Sequence, residues 1–503
     1  MDDFTIHIKP KKASGNKNLL LSSFVNWLPK KLIGQLFLAL LLLLLGIGFT
    51  LGIVKYGWEI GVLMLLTIIA LPVIYFLIMS PQFGILTYLS LAYTIMWFAR
   101  FTNDFPVGTI MDGMLVFFIL GFFIKQKTNK SWIVFKNPIT LVVSIWILYN
   151  IGEGMNPVAD SVMAWLYTVR TVAIIALMYF IFLYHIRTKN FIKTIFKWWI
   201  FASLLNAIYA LKQEYIGFFY FEQHYLELNP KMAALLFQGG HWRKFSINPD
   251  PVTFAFNMVM ASILCIALMT GPLKAYRKLI LGILAFLFFY VMLFSGTRSA
   301  YPLIPAALFL LTILKFNKQV FAYAGIGLLL IGFLIVVPSS NGTILRFQSA
   351  FRPNNDPSYL VRLANQARIK PYIYTHPFGG GLGATGTWGK KFSPNSYLAN
   401  FPPDSGYVRV AVELGWVGLV VFCIMIFVIL QYGIRTYFKI RDPELKSYTL
   451  AMLLIVFAWN IANYPQEALV QYPSNVLFFL AIAIIPAIYK IDQQQNLSID
   501  AKR

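Results

Sequence analysis

The sequence predicts an all-α polytopic integral membrane protein with about 12–14 transmembrane helices of about 20 residues each. Its composition is the first reason: 58% of the 503 residues are hydrophobic and only 12% are charged, whereas soluble domains are about 25% charged and about 45–50% apolar. The second reason is that the apolar residues gather into runs long enough to cross a bilayer. So many apolar side chains exceed what soluble cores can bury, so lipid must surround much of the chain.

Fourteen runs of residues are candidate spans. Two are less distinct, because 58–79 closely follows the preceding run and 138–151 is short. The first run is long, follows basic residues and has no A-x-A site after it, so it is predicted to be an anchor and not a cleaved signal. The predicted spans are 32–54, 58–79, 83–99, 107–124, 138–151, 168–186, 191–211, 252–270, 278–295, 299–314, 319–337, 406–430, 447–463 and 473–490.

The distribution of basic residues predicts the orientation. Of the 42 Lys and Arg residues, 26 lie in the terminal segments and short connections assigned to one side of the membrane. An excess of Lys and Arg marks cytoplasmic loops, so both termini are predicted to be cytoplasmic. The net charge of +23 is then mainly a topology signal with anionic lipid as its partner, and no nucleic-acid partner is expected.

Two long segments on the predicted outer side separate the spans, and both are rich in aromatic residues, Gly and Pro. Loops longer than about 15 residues are usually functional or disordered. Function is therefore expected on the outer face. The predicted organisation is a basic cytoplasmic segment 1–31, spans in 32–211, a first long loop 212–250, spans in 251–337, a second long loop 338–405, spans in 406–490 and a cytoplasmic tail 491–503.

An outer hairpin, Ser-Gly-Thr-Arg-Ser-Ala at residues 295–300, interrupts two apolar runs. Arg298 can be a side chain that snorkels to the membrane surface. It can also be a fixed guanidinium for phosphate, because its planar fork of donors matches two oxygens at once. The helix expected to start here would add backbone N–H groups to an anion site.

The second long loop contains further candidates. Arg362 and Arg368 are six residues apart, so at most one is expected to point into a site. His376 precedes a proline and is either a turn residue or a catalytic base. The stretch 381–386 matches the G-x-G-x-x-G dinucleotide pattern but follows no predicted strand, so its glycines are expected to permit a tight loop instead.

The sequence that enters the next span offers a carboxylate and an ion pair. Asp404 can cap this helix or act as a general base at the membrane interface. Arg409 and Glu413 are spaced i, i+4 and can pair within the helix. Charges at the membrane are costly, however, and therefore indicate function.

In the first long loop, Trp242 and Phe245 can stack on the apolar faces of sugar rings, whereas Asp250 is expected in a turn or at a helix start. No P-loop and no Cys/His spacing for a metal is present, and Cys265 and Cys423 lie inside apolar runs. No metal and no cofactor are predicted.

Several motifs together resemble the bacterial O-antigen ligase/polymerase (Wzy-type) superfamily. In order, they are the hairpin at 295–300, Arg362 upstream of His-Pro-Phe-Gly-Gly-Gly-Leu-Gly at 376–383, and Tyr407 followed by Glu-Leu-Gly-x-x-Gly at 413–418. The resemblance covers residues 286–421. It implies a metal-independent glycosyltransferase with a GT-C-like fold in the bacterial inner membrane, active on the extracytoplasmic face.

The resemblance also implies partners and residue roles. The glycan donor and acceptor would be oligosaccharides linked to undecaprenyl diphosphate, with membrane lipids and a chain-length regulator as further candidate partners. By position, Arg298 and Arg362 correspond to the family's arginines that hold the diphosphate. The expected substrate contacts are Arg298, Arg362, Arg409, His376, Tyr407 and Trp242.

Asp404 departs from the ligase pattern. Ligases that transfer to lipid A core carry a His three residues before the Tyr of the closing motif, which here is Tyr407. A carboxylate at this position favours a polysaccharide polymerase, with Asp404 accepting the proton of the attacking sugar hydroxyl and with inversion at the anomeric carbon. The expected catalytic residues are Asp404, Arg298 and Arg362.

Alternative functions stay open at this point. An O-antigen ligase or a protein O-oligosaccharyltransferase would use the same donor. A lipid-linked oligosaccharide flippase or transporter belongs to another class and would carry charged residues in the middle of several spans. The predicted span centres are almost free of charge, which favours catalysis at one face.

Overall fold

The computed structural model describes residues 30–56, 72–101, 107–128, 132–238, 240–339, 342–349, 351 and 357–500. The chain divides into two units, Met1–Tyr75 and Phe76–Arg503. In its described part, the first unit contains helix α1, Lys30–Tyr56, and the beginning of α2, Pro72–Met79.

The second unit is built almost entirely of helices. Short 3-10 turns at Trp132–Phe135 and Arg298–Ala300 and one pair of two-residue strands, Phe237–Gln238 and His241–Trp242, complete it. Its helices are α3 (Pro81–Phe98), α4 (Val107–Thr128), α5 (Pro138–Gly152), α6 (Val162–His185), α7 (Lys189–Tyr215), α8 (Tyr220–Leu228), α9 (Pro230–Leu236), α10 (Pro251–Met269), α11 (Ala275–Leu293), α12 (Leu303–Leu314), α13 (Lys318–Val336), α14 (Gly342–Ser349), α15 (Pro357–Thr375), α16 (Gly386–Phe392), α17 (Gly406–Glu413), α18 (Gly415–Lys439), α19 (Pro443–Ala462) and α20 (Ser474–Asp500).

Nine helices in the described part of the chain are long and apolar enough to cross a membrane, namely α4–α7, α10, α11 and α18–α20. The bent pair α2 and α3 would add a tenth span, and Gly46–Lys55, Arg298–Leu314 and Gly325–Val336 are shorter apolar helices. The predicted class, an all-α polytopic membrane protein, is confirmed. The indistinct run 138–151 is helix α5, whereas most of the predicted span 58–79 lies outside the described residues.

The ends of the long helices of the second unit meet at two places. At one, Thr253 at the start of α10 lies 3.3 Å (Oγ1 to Oε1) from Gln471, which precedes α20. At the other, Lys189 at the start of α7 lies 2.7 Å (Nζ to Oδ2) from Asp442, which precedes α19. We call these the loop end and the basic end. The loop end carries both long predicted loops, and the basic end carries most of the lysines of the short connections.

Three helices form the centre of the second unit. In the most apolar 18-residue stretch of each helix, 78% of α10, 83% of α19 and 89% of α20 is buried inside the protein, against 28% of α11. Helix α10 packs on α11 and α19, and α19 packs on α20. The outward face of α11 is therefore left for lipid, and the loop ends of α10, α19 and α20 lie beneath the long loops.

The segment predicted as the first long loop is folded. Helix α7 extends to Tyr215, and α8, α9 and the strand pair follow. Leu226, Leu236 and Phe245 form a small apolar core there. Phe245 is only 2% exposed, so the expectation that its ring stacks on a sugar is wrong. Asp250 accepts hydrogen bonds from Val252 N (2.7 Å) and Thr253 N (2.9 Å), which confirms its predicted place at a helix start.

A buried ion pair attaches this folded loop to the helix bundle. Arg100, just after α3, donates to the carbonyl oxygen of Ser246 (2.8 Å) and lies 3.6 Å from the Glu222 carboxylate. Glu222 also accepts from Gln213 Nε2 (2.7 Å) and Tyr209 OH (3.1 Å). Both charged side chains are almost fully enclosed. The guanidinium and carboxylate therefore depend on each other for their charge balance.

Replacing Glu222 with Ala should strongly destabilise the protein. Removing one partner of a buried pair leaves the other charge uncompensated and typically costs about 3–5 kcal/mol. We expect a clear fall in the thermal unfolding temperature of the detergent-solubilised protein. Glu227→Ala is the matched control, because that side chain is 75% exposed. Equal unfolding temperatures for the two variants would contradict the structural role of Glu222.

Candidate functional site

The hairpin at 295–300 is a tight turn at the loop end. Gly296 has φ of 58°, a left-handed conformation that glycine adopts without steric cost. Ser295 Oγ donates to the carbonyl oxygen of Met292 (2.7 Å) and accepts from Thr297 N (3.1 Å). Arg298 is half-buried and begins a 3-10 turn. The regular helix starts only at Leu303, a few residues later than predicted.

The folded first loop holds this hairpin in place. Arg243 donates from Nε to the carbonyl oxygen of Ser295 (2.8 Å) and from Nη2 to Thr297 Oγ1 (3.2 Å). Thr297 Oγ1 in turn donates to the carbonyl oxygen of Pro251 (3.2 Å) at the start of α10. A second guanidinium therefore lies at the residue next to Arg298. The sequence had not singled out Arg243, because its partners are distant along the chain.

Asp404 lies at the end of the second predicted loop, two residues before α17 begins at Gly406. The helix cap is Ser405, whose Oγ accepts from Val408 N (3.5 Å), so the expectation that Asp404 caps this helix is wrong. Asp404 Oδ2 instead lies 3.4 Å from Nδ2 of Asn365 on α15. Since Ser405 supplies the capping oxygen, the Asp404 carboxylate remains available for another role.

Arg362 lies on the same helix as Asn365, three residues before it. Residues at this spacing are neighbours on one helix face, and Arg368, three residues after Asn365, is a neighbour of it as well. Arg362 is half-buried, whereas Arg368 is exposed and its guanidinium carbon is 5.9 Å from the centre of the Phe401 ring. The two arginines thus have different surroundings, although the segment was predicted as a loop.

The predicted pair of Arg409 and Glu413 is present and belongs to a larger cluster. Arg409 Nε lies 3.2 Å from Glu413 Oε2, and its Nη1 lies 2.6 Å from Glu467 Oε2. Burial by itself lowers the pKa of Arg409, but the two carboxylates outweigh burial and hold this pKa above its usual value. One guanidinium therefore links α17 to the connection between α19 and α20.

Glu467 is a site residue that sequence reasoning missed. Burial raises the pKa of its carboxyl group, Arg409 opposes this, and the charges of Glu413 and Asp404 add to it. The only sequence signal was a lone acidic residue in a short outer connection, between Asn463 and Ser474. Its place in the cluster depends on long-range packing that no local pattern encodes.

The glycine-rich segment after α15 packs tightly against this cluster. Gly380 N and Gly381 N donate to the carbonyl oxygens of Val412 and Glu413, both at 2.9 Å. A Cβ on Gly383, whose φ is 86°, would lie 2.3 Å from Thr168 Oγ1. The segment follows a helix and not a strand. The expectation of a tight loop is confirmed, and the structural context of a dinucleotide site is missing.

A second charged pair at the loop end was also missed. Arg170 Nε lies 3.2 Å from Asp112 Oδ2, and both side chains are about one-third exposed (32% and 27%). Arg170 begins a π-helical segment of α6, Arg170–Ile174, and such segments are frequent at functional sites. A cavity of about 80 Å³ lined by Thr171, Arg409 and residues near them lies between α6 and α17.

The remaining residues predicted to contact the substrate, His376, Tyr407 and Trp242, each have different neighbours. His376 lies at the end of α15, with Nδ1 3.0 Å from the carbonyl oxygen of Tyr372 and its ring stacked on the Tyr372 ring, which agrees with a turn residue. Tyr407 OH donates to Asn460 Oδ1 (3.4 Å). Trp242 is half-buried, and its ring packs against other aromatic rings of the first loop. Within the described residues, no group of three or more His, Cys, Asp or Glu side chains is placed to hold a metal ion.

The capping role of Ser405 can be tested against its neighbour Asp404. Replacing Ser405 with Ala should destabilise the protein by about 1 kcal/mol, because the first turn of α17 loses its capping acceptor. Asp404→Asn should change stability by less than about 0.5 kcal/mol. Denaturant or thermal unfolding of the two purified variants measures both values. A larger loss in Asp404→Asn would restore the capping role to Asp404.

Comparison with known families agrees with the motifs. Residues 283–423 match a family model described as O-antigen ligase, and a search of curated proteins finds no significant match. The matched segment runs from α11 through the hairpin to α18 and contains Arg298, Arg362, Asp404 and Arg409. The match and the motifs together assign residues 283–423 of this multi-pass membrane protein to the O-antigen ligase/polymerase superfamily.

Proposed function

We propose that this protein is a polysaccharide (O-antigen or exopolysaccharide) polymerase, a metal-independent and inverting glycosyltransferase. It transfers a glycan from undecaprenyl diphosphate to a sugar hydroxyl of another lipid-linked repeat unit. The observation that supports this most directly is the position of Asp404. Ser405 caps α17 in its place, and the Asp404 carboxylate lies beside Asn365, three residues after Arg362 on α15.

Arg298 and Arg362 are proposed to hold the donor diphosphate. A guanidinium presents a planar fork of donors that matches two phosphate oxygens, and it stays charged at all physiological pH values. Arg298 is held on a hairpin that Arg243 fixes by two hydrogen bonds. Donors that are already positioned stabilise the charge that develops on a leaving group without reorganisation during the reaction.

The reaction is a displacement at the anomeric carbon of the donor sugar. The attacking hydroxyl oxygen forms a bond to this carbon while the bond to the diphosphate oxygen breaks, and the electron pair leaves with the phosphate. Asp404 accepts the hydroxyl proton. Attack from the face opposite the leaving group inverts the anomeric configuration. The Arg409 cluster positions α17, the helix that follows Asp404.

Sugar contacts are proposed for the remaining predicted residues. Tyr407 carries a hydroxyl group in the first turn of α17, and Trp242 offers an aromatic ring. His376 follows the last residue of α15 and precedes the glycine-rich segment. Arg409 is also proposed as a substrate contact, and its ion pairs with Glu413 and Glu467 hold its guanidinium in place.

The loop end is proposed to be extracytoplasmic and the basic end cytoplasmic, in a bacterial inner membrane. Lys125, Lys189, Lys193 and Lys490 all lie at the basic end, through contacts with Met79, Asp442, Glu444 and Ile133. Lysine and arginine are enriched in cytoplasmic loops. The candidate catalytic groups would then meet their substrate after its transfer across the membrane.

The position of the charged pairs favours an enzyme over a flippase. The pairs of Arg100 with Glu222 and Arg409 with Glu467 lie beyond the ends of the long helices, and Arg170 lies about two turns inside the loop end of α6. A transport pathway would place charged residues through the depth of the membrane. Charged pairs near the ends of the spans, and not through their depth, favour chemistry at a membrane surface.

Replacing Arg298 or Arg362 with Lys should nearly abolish polymer formation while leaving expression and unfolding temperature unchanged. A lysine keeps the charge but cannot fork to two oxygens, and losing one positioned donor typically lowers the rate roughly 10²–10³-fold. Polymer length and amount on gels measure the effect. Arg368→Lys is the control, because the Arg368 side chain is exposed whereas that of Arg362 is half-buried. Normal polymer in Arg298→Lys would remove the donor-clamp role.

The type of product separates the alternatives. Purified protein incubated with the lipid-linked repeat unit should form long chains and release undecaprenyl diphosphate. A single transfer to an added lipid A core or protein acceptor, with no chain growth, would indicate an O-antigen ligase or a protein O-oligosaccharyltransferase. Movement of the lipid-linked unit across a vesicle membrane without transfer would indicate a flippase.

A further inference from the structure

Two neighbouring cavities lie at the basic end, opposite the candidate active site. Their volumes are about 490 Å³ and about 530 Å³, and both are lined by Pro272 and Ser447. Pro272 belongs to the turn between α10 and α11, and Ser447 lies in the first turns of α19. The cavities therefore adjoin at this turn, and we call them the two lobes of the basic-end cleft.

The first lobe combines three cations with an apolar wall. Lys193 and Lys197 project from α7, and Arg277 projects from the first turn of α11. The wall continues along the helices through apolar side chains of α7, α10 and α11, among them Phe196, Ile200, Leu268, Ile280 and Leu281. A cationic rim above an apolar wall matches a molecule that has an anionic head and a hydrocarbon tail.

The second lobe carries Lys315 and Lys446. Lys315 Nζ donates to the carbonyl oxygen of Thr270, which fixes this ammonium group at the lobe. Burial lowers the pKa of Lys315, and the charges of Lys278 and Lys446 lower it further. Positive charges are thus held close together in this lobe, and an anion would relieve their repulsion.

Little carboxylate is available to neutralise the cleft. Glu444 is the acidic residue among the lining residues of the two lobes. It already lies 2.8 Å from Lys189 and 3.6 Å from Lys193, and its neighbour Asp442 also pairs with Lys189. The two lobes are therefore lined by five cationic side chains and one carboxylate, that of Glu444. This carboxylate already pairs with Lys189 and Lys193.

We propose that this cleft binds the headgroup of an anionic phospholipid, with its acyl chains along the apolar wall between α7 and α11. The phosphate oxygens would accept hydrogen bonds from the lysine and arginine side chains of the two lobes. Basic pockets between transmembrane helices on the cytoplasmic side are suited to such headgroups. The outward face of α11, little covered by protein, continues the wall into the lipid. The proposal is independent of the enzymatic activity.

The test uses the full-length protein in phosphatidylcholine nanodiscs with increasing phosphatidylglycerol, and lipids retained after gentle detergent extraction are counted by native mass spectrometry. Wild-type protein should retain phosphatidylglycerol selectively. Lys197→Gln/Arg277→Gln and Lys315→Gln/Lys446→Gln should each bind it about 30-fold more weakly, since each cation near a membrane surface contributes about fivefold.

Lys127→Gln/Lys136→Gln is the matched control, because these exposed lysines lie at the same end but line neither lobe. It removes the same charge and should bind phosphatidylglycerol like wild type. Equal losses in the control and cleft variants, or equal retention of phosphatidylcholine, would overturn the proposal. Displacement of the lipid by millimolar inorganic phosphate would overturn it as well, since the site would then be a phosphate site. Unfolding temperatures verify that every variant compared is folded.

Discussion

The candidate site depends on one guanidinium shared by two carboxylates. Arg409 joins Glu413, four residues later on α17, to Glu467 in the connection between α19 and α20. The same stretch of α17 receives the backbone of the glycine-rich segment that follows α15. Three parts of the chain that are distant in sequence therefore meet at one charge. Because this charge is largely enclosed, none of the three parts can move away without exposing an uncompensated partner.

Two groups of polar side chains lie at the loop end, and the central helices connect them. Arg298 and Arg243 lie at the hairpin, next to the start of α10, whereas Asp404 and Asn365 lie beside α17. Gln471 contacts the start of α10, four residues after Glu467 contacts Arg409. The short connection between α19 and α20 thus bridges the two groups. The sequence predicts it only as a link between spans, yet it contacts the helix next to each group, α10 through Thr253 and α17 through Arg409.

The transmembrane part of this fold was predictable because lipid imposes a simple rule: a span is a long apolar run. This rule identified even the short helix α5. The rule fails in the segments outside the membrane. Helix α15 contains Pro371 and a mixture of charged and apolar residues, so it was taken for a loop. Asp404 and Ser405 are both good capping residues, and only the backbone shows which one caps. Glu467 and Arg243 acquire their roles through partners far away in sequence.

The π-helical segment in the middle of α6, Arg170–Ile174, changes how this helix meets its neighbours. Each residue of a regular α-helix turns the chain by about 100° about the helix axis. A π-helical turn holds one additional residue, so it changes the rotation of the residues before it relative to the residues after it. The part of α6 after this segment, Met178–His185, packs on α20, while Arg170 faces Asp112 of α4. The two parts of α6 therefore present their side chains in directions that a regular helix of the same length would not give. Inserting or deleting a residue there would rotate the part of α6 that carries Arg170 relative to the part that packs on α20.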